Sequence, residues 1–141
     1  MKLPLFVLLL CSVLASGAAL AEGNTLSVTL NGLKNAQGNV RVGLYQDSDS
    51  FRKESRALAV EEIPARAGSV KLRFADLAAG RYAIMAYHDE DANGQLNRRF
   101  GMFPTEGYGL SNNPTVVGPP AFADSAFEVA GATRISIDIR Y

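Results

Sequence analysis

Apolar and polar residues alternate along much of the chain, which is the period-two pattern of half-buried β-strands. The alternation is clearest in residues 26–30, 40–44 and 70–74, and a weaker version covers 57–63. Residues 82–87 are apolar without a break, as in a strand that is covered on both faces. These segments predict a β-rich domain with little helix.

The turns between these segments predict how the strands pair. Turn-forming residues at 34–38 join the first two strands, so we expect a hairpin there. A second hairpin is expected from strands 126–129 and 134–140 around the turn at 130–132. The inward residues of the last strand would be Ile135, Ile137 and Ile139.

The segments add up to about seven strands with regular turns, which favours an antiparallel seven-stranded β-sandwich of the all-β class. Phe51 lies in a polar stretch and is expected to return to the core. Residues 119–124 have room for one short helical turn. No other segment carries a convincing helical period.

A local pattern sharpens the fold class. The spacing Phe74-x-x-Leu77-x-x-Gly80-x-Tyr82 resembles the strand-turn-strand signature of transthyretin-like and carboxypeptidase-regulatory-like sandwiches. The resemblance implies that Phe and Leu enter the core, that Gly makes the turn and that Tyr starts the next strand. We therefore expect a transthyretin-like or immunoglobulin-like Greek-key sandwich, with no implication for function.

The first residues have the features of an export signal. Lys2 precedes an apolar run over residues 3–14, and Ala19-Leu20-Ala21 forms a small-x-small cleavage site. The run is too short for a comfortable membrane span. We expect a signal peptide at 1–21 that is removed, and a single domain at 22–141 with a long loop at 88–120, in a periplasmic or secreted bacterial protein.

Composition narrows the function classes. The chain has 14 basic and 14 acidic residues, so it lacks the basic excess of a nucleic-acid-binding protein. The one cysteine, Cys11, lies in the signal, so the mature domain has neither disulfides nor thiol chemistry. No membrane span is expected after signal removal. The sequence leaves open which envelope ligand or protein is the partner, and the oligomeric state.

Residues 88–97 contain the most informative motif. Oxygen-bearing side chains recur at every second position, and Gly94 supplies a flexible backbone position among them. These side chains belong to Asp89, Asp91, Asn93, Gln95 and Asn97. The first nine positions match an EF-hand loop, but Phe100 stands where the closing Glu is needed. Glu106 is the nearest downstream carboxylate, and Asp124 is another candidate.

Hard oxygen ligands favour calcium over zinc, because the chain has only one histidine. The candidate metal ligands are therefore Asp89, Asp91, Asn93, Gln95, Asn97 and Glu106. An alternative is that Asn93-Gly94 is only a common hairpin turn and that the acidic side chains are solvated.

His88 raises an enzymatic alternative. A small hydrolase or lyase would use it as a general base with Asp89 or Glu106 nearby. Against this, the sequence lacks a cysteine nucleophile in the mature chain and a Gly-x-Ser-x-Gly motif, and nothing marks Ser111 as activated. A non-enzymatic protein is the preferred interpretation, with no catalytic residues.

Residues 100–120 lack periodicity and are rich in Gly and Pro, which is typical of a functional or self-packed loop. Its aromatic residues either stack on a ligand or fix the loop to the sheet, and the second is favoured. The candidate ligand-surface residues are His88, Phe100, Phe103, Tyr108, Asn112 and Asn113. The pair Arg98-Arg99 attracts an anion or is simply solvated.

Four blocks of the sequence together resemble a bacterial family. They are Gly80-x-Tyr82-Ala83-Ile84, the loop from His88 to Asn97, the stretch from Phe100-Gly101 through Glu106-Gly107-Tyr108-Gly109 to Asn113, and Gly118-Pro119-Pro120-x-Phe122. The family is domain of unknown function 2141, small exported proteins of Gram-negative bacteria. Asn97 stands where the family more often has Asp, and Pro104 lies further from Gly101 than expected.

This resemblance implies export and a sandwich fold, and it implies no activity. From the residues and the resemblance together, we expect an exported, non-enzymatic binding or structural module of the bacterial cell envelope. Its rim loop is a candidate calcium site.

Overall fold

The computed structural model describes residues 23–141 of the chain. The expected signal peptide lies outside the described residues. The expected boundary between the signal and the mature domain therefore stays a prediction.

Strands dominate residues 23–141. The ten strands are β1 (Asn24–Leu33), β2 (Asn39–Tyr45), β3 (Ala59–Pro64), β4 (Gly68–Leu77), β5 (Gly80–Asp89), β6 (Arg98–Arg99), β7 (Phe103–Pro104), β8 (Tyr108–Leu110), β9 (Phe127–Val129) and β10 (Ala132–Asp138). A 3₁₀ turn spans Glu54–Arg56, and helix α1 spans Phe122–Ser125. The expected short helical turn is thus confirmed. None of the helices in this part of the chain is long and apolar enough to cross a membrane.

The strands form two main sheets. One has the order β10-β1-β4, and the other has the order β3-β2-β5-β8, with β9 also paired to β5. Strands β6 and β7 pair only with each other. Every pairing is antiparallel except β1 with β10, which is parallel.

One apolar core joins the two sheets. Alternation places one side of β1 and of β4 inward, as the sequence predicts for half-buried strands. The buried residues include Leu26, Val28 and Leu30 of β1, Val70, Leu72 and Phe74 of β4, Ile137 of β10, Val40, Val42 and Leu44 of β2, and Tyr82, Ile84 and Ala86 of β5. The all-β sandwich is therefore confirmed, and the Greek-key order stays a prediction.

A second apolar cluster covers the outer face of β5. Phe51 packs edge-on against Tyr45, with ring centroids 5.4 Å apart, and against Phe122, at 5.9 Å. Met85 and Leu110 belong to the same cluster. This cluster explains why β5 is buried on both faces, as its unbroken apolar sequence predicts, and it confirms that Phe51 returns to the protein interior.

Both expected hairpins are wrong. Strand β1 pairs with β4 and β10, whereas β2 pairs with β3 and β5, so the turn at 34–38 crosses from one sheet to the other. Likewise β9 pairs with β5 and β10 pairs with β1. Alternation specifies which side of a strand faces the core, but it does not specify the neighbouring strand.

The segment 100–120 contains more regular structure than expected. It includes β7 and β8, and β8 adds to the sheet edge with Met85 opposite Leu110. These strands are two and three residues long, too short for periodicity to reveal them. With β6, they raise the number of strands from the expected seven to ten in residues 23–141.

Candidate functional site

Asp89 is the last residue of β5 and anchors the loop that follows. Because β5 is buried on both faces, it carries Asp89 into the protein, where the residue is 1% exposed. Its carboxylate oxygens accept hydrogen bonds from the backbone N–H groups of Asn93, at 3.1 Å, and Gly94, at 2.8 Å. Gly94 adopts φ +76°, a conformation that glycine takes easily. The loop thus folds back over the Asp89 carboxylate.

The Asn97 side chain links the other two acids. Its Nδ2 donates to Asp91 Oδ2 at 2.7 Å and to Glu106 Oε1 at 3.2 Å. Its backbone N–H donates to Glu106 Oε2 at 3.2 Å. Asn93 Nδ2 donates in turn to Asn97 Oδ1 at 2.6 Å. Two amide side chains therefore hold the acidic side chains in one network.

The acidic cluster consists of Asp89, Asp91 and Glu106. One carboxylate oxygen from each lies within 4.8 Å of the other two. Oxygens on opposite sides of a bound calcium ion are about 5 Å apart, since each Ca–O distance is about 2.4 Å. The cluster therefore has the size and the donor atoms for a hard metal ion, and such a group could hold one.

The charges in this cluster lack a cationic partner within residues 23–141. The salt bridges in this part of the chain join Lys34 to Glu90, and Arg41 to Glu54 and Glu62. Glu106 is only 7% exposed. A buried carboxylate beside two others is unfavourable unless a cation or hydrogen-bond donors compensate.

The surroundings shift the pKa values of Glu106 and Asp91 in opposite directions. Burial raises the pKa of Glu106, and the charges of Asp91 and Asp89 add to this rise, while the hydrogen bond from the Asn97 backbone opposes it. The hydrogen bond from the Asn97 side chain lowers the pKa of the exposed Asp91. Of these two acids, Glu106 is therefore the one whose charge is less favourable.

Asn93, Gln95 and Asp124 were the other candidate ligands in the sequence, and none of them is an acid of this cluster. Asn93 Oδ1 accepts a hydrogen bond from the Gln95 backbone at 2.9 Å, and no hydrogen bond of the Gln95 side chain is seen within residues 23–141. Asp124 is not a member of the cluster. Asp89, Asp91, Asn97 and Glu106 are thus brought together, and the six-residue ligand set stays a prediction.

His88 is buried near the end of β5, whereas the sequence offers it as a ligand-surface residue or, alternatively, as a general base. Its ring is fully buried, with Nδ1 2.6 Å from the Tyr141 hydroxyl and Nε2 2.6 Å from the Gln37 carbonyl oxygen. Because a carbonyl only accepts, Nε2 carries a proton, and in the neutral ring Tyr141 donates to Nδ1. Both nitrogens are therefore engaged inside the protein. This geometry favours neither a ligand-surface role nor a general-base role for His88.

Comparison with known proteins places the chain in a family. Residues 28–136 match the family described as an uncharacterized protein conserved in bacteria, DUF2141. The chain belongs to this family. No curated protein and no solved structure matches it. The resemblance seen in the sequence is confirmed, and the matched region includes the acidic cluster.

The residues expected to form a ligand surface in this DUF2141 protein do not share one environment. Phe100 and Phe103 are strongly exposed, so the favoured expectation that they fix the loop to the sheet is wrong for both. Tyr108 instead packs against the outer cluster. Asn112 Nδ2 donates to the Ala126 carbonyl at 2.8 Å, and Asn113 Oδ1 accepts from the Asp138 backbone at 2.8 Å. The two asparagines therefore connect chain segments.

A surface cleft of about 650 Å³, which sequence analysis missed, lies beside the acidic cluster. Its floor consists of outward-facing residues of β2 and β5, and its walls come from segments 52–55 and 94–98. The lining includes Arg41, Tyr45, Arg52, Glu54, Tyr87 and Arg98. The sequence gives one sign of this cleft, the glycine at position 43. An added Cβ there would lie 2.8 Å from the Tyr45 hydroxyl. A glycine there lets the tyrosine ring cover the strand.

Tyr87 joins the two walls of this cleft. Its hydroxyl lies 2.9 Å from Glu54 Oε2 and 3.1 Å from the Gly94 carbonyl oxygen, and it donates its one proton between them. Burial and the hydrogen bond to Glu54 raise the pKa of Tyr87. Since the Gly94 N–H binds Asp89, the cleft wall and the acidic cluster share one loop residue.

Proposed function

We propose that this DUF2141 protein is an exported, non-enzymatic binding or structural module of the bacterial cell envelope, and that its acidic cluster holds a calcium ion. The single observation that supports the ion is the convergence of three carboxylate oxygens within 4.8 Å. Two of the three acids, Asp89 and Glu106, are buried. A divalent cation would neutralise charge that the hydrogen bonds only partly compensate.

The kind of donor supports calcium. Carboxylate and amide oxygens are hard ligands, and calcium accepts six to eight of them in irregular arrangements. Asn97 turns its Nδ2 to Asp91 and Glu106, so the three carboxylates supply the hard oxygens where the acids meet, and Asn97 Oδ1 and Asn93 Oδ1 lie further along the same network. Magnesium requires a nearly ideal octahedron and keeps its waters, so an irregular loop of this kind suits it less well.

Two further features support the rest of the proposal. The pattern of residues 1–21 is that of a signal peptide, which supports export. The cleft beside the cluster has a volume within the usual range for small-ligand sites, which supports a binding role. Because Gly94 and Gln95 line the cleft and belong to the acidic loop, ion binding would hold one of its walls.

The test is the thermal midpoint of the chain from Glu22 onward, measured in millimolar calcium and in excess EDTA. An ion bound with about 10 μM affinity adds about 2.7 kcal/mol at 1 mM by mass action. This corresponds to a rise of about 10 °C for a domain of this size. The Asp91→Ala variant is expected to lose most of that rise.

Asp124→Ala is the matched control, because Asp124 is an exposed acid outside the cluster. It should keep the full calcium response. A midpoint that is equal in calcium and in EDTA would overturn the ion site. An equal response to magnesium would replace calcium by a general divalent-cation site.

A further inference from the structure

The hairpin formed by β6, β7 and the turn between them, residues 98–104, exposes large apolar side chains. Phe100, Met102 and Phe103 are 85%, 70% and 59% exposed. Scattered single apolar residues are normal on a protein surface, but three within four positions form a patch that requires an explanation. The hairpin therefore presents an apolar tip to its surroundings.

The backbone of the tip holds Phe100 in an unfavourable conformation. Phe100 has φ +54° and Gly101 has φ +66°, and the Met102 N–H donates to the Arg99 carbonyl at 3.1 Å. A positive φ is common for glycine but is an outlier for a bulky residue such as phenylalanine. Strain of this kind is concentrated at functional sites, where the surrounding structure maintains it.

The base of the hairpin is fixed to the acidic cluster. The Thr105 N–H donates to the Asn97 carbonyl at 2.8 Å, which closes the base of the hairpin. Asn97 is itself bonded to Asp91 and Glu106. The apolar tip is thus carried by a defined two-stranded element.

Two cations accompany the apolar tip. Arg98 and Arg99 form β6, and both are exposed. Neither takes part in a salt bridge within residues 23–141. Their guanidinium groups complement anionic lipid headgroups, which attract basic residues with about 1 kcal/mol per Lys or Arg near the surface. Apolar side chains flanked by cations are typical of elements that lie in a membrane interface.

The size of the patch distinguishes a lipid surface from a protein partner. Three such side chains offer on the order of 500 Å². A stable protein interface needs roughly 800 Å² from each partner. A bilayer sets no such requirement, since a few apolar side chains can enter it while the adjacent charges stay at the headgroups.

We propose that the hairpin 98–104 docks the protein on an anionic lipid surface. Phe100, Met102 and Phe103 enter the boundary between headgroups and acyl chains, and Arg98 and Arg99 bind the headgroups. The docking residues are distinct from the acidic cluster, because none of the three apolar residues and neither arginine belongs to it. It goes beyond the proposed function by naming the surface that the protein contacts.

The test uses the chain from Glu22 onward and vesicles of phosphatidylglycerol and phosphatidylcholine in equal parts, with EDTA present throughout. Since the sequence has no tryptophan, Phe100→Trp supplies a single fluorophore at the tip. We expect its emission to shift to the blue when these vesicles are added. Val117→Trp is the control, because Val117 is an exposed apolar residue outside the hairpin. Its emission should stay unchanged.

Vesicle sedimentation then measures separately how much the apolar side chains and the two arginines contribute to lipid binding. Replacing all three apolar residues by serine should weaken binding by at least about 10-fold. Arg98→Gln and Arg99→Gln should each weaken binding by about 5-fold, and the loss should shrink as salt is added. Arg134→Gln, an exposed arginine on β10, should bind like the wild type.

Two results would overturn the proposal. One is a Phe100→Trp emission that stays constant up to millimolar lipid. The other is a wild-type dimer that the triple serine variant loses, since the tip would then contact a second copy of the chain. Both measurements are independent of the calcium site, because EDTA is present and the calcium response is measured without lipid.

Discussion

Within the acidic cluster, each carboxylate has a different environment. Asp89 is compensated by two backbone N–H groups, and Asp91 is exposed and hydrogen-bonded to Asn97. Glu106 is buried, and its neighbours carry the same charge. The negative charge at Glu106, which the hydrogen bonds from Asn97 offset only in part, therefore lowers the stability of the metal-free protein more than the charge at Asp91 does.

The pH dependence of stability tests this difference. Because burial raises the pKa of Glu106, the native state keeps this proton to a higher pH than the unfolded chain does. Its contribution to stability is therefore fully present at acid pH and is lost as the pH rises through the raised pKa. In EDTA, Glu106→Gln should gain stability relative to the wild type as the pH rises above about 4, the ordinary range of a glutamate, and passes through the raised pKa.

The measurement is the thermal midpoint of both proteins across this range. The difference between them reports Glu106 together with its effect on Asp91, whose pKa is lowered mainly by Asn97 and partly by Glu106. In calcium, the order should reverse at neutral pH, because Glu106→Gln removes a charged ligand. A difference between the two midpoints that does not change with pH would contradict this account of Glu106.

For single residues, the sequence predicts which side chains can bind an ion better than it predicts which side chains are buried. Asp89, Asp91 and Asn97 were found from their spacing, and Glu106 was found as the nearest downstream carboxylate. The position of His88 was not predictable, because its burial depends on Gln37 and Tyr141, which are distant in sequence. Sequence spacing does not contain such long-range contacts.

At the scale of strands and loops, two phenylalanines have contrasting roles. Phe51 is buried between Tyr45 and Phe122, whereas Phe100 is exposed at the hairpin tip. Phe51→Ala should lower the free energy of unfolding by about 3 kcal/mol, since it leaves a cavity in the outer cluster. Phe100→Ala should change it by less than about 0.5 kcal/mol.

Urea denaturation of both variants, with the slope compared to that of the wild type, measures these changes. Equal effects of the two substitutions would show that the tip of the hairpin is packed in solution. The sequence predicted the burial of Phe51 correctly and that of Phe100 incorrectly. The reason is the positive φ of Phe100, which turns the chain at a residue that rarely adopts this conformation.

Strand positions were predictable, but strand partners were not. The alternation in β1, β2 and β4 follows from the contact of one face with the core. The turn after β1 was expected to make a hairpin, yet Gly38 packs so closely on the end of β5 that an added Cβ would lie 2.0 Å from the Asp89 carbonyl oxygen. This contact, which seats the turn against the other sheet, has no local sequence signature.

For the whole molecule, the packing of two sheets around one apolar core accounts for the fold but not for the location of the protein. The core clusters lie within residues 24–141, and this part of the chain contains no cysteine. Stability therefore depends on packing, with any bound ion as an addition. Such a domain folds equally well in a reducing or an oxidising compartment.

The proposed export depends on residues 1–21, and it can be tested separately from the fold. When the full chain is expressed in a Gram-negative host, the exported protein should have the mass of a chain that begins at Glu22. Replacing Leu8 and Leu9 by arginine should interrupt the apolar run and leave the uncleaved chain in the cytoplasm. Ser27→Ala, beyond the cleavage site, should be exported normally. A mature protein that keeps residues 1–21 would contradict cleavage at this site.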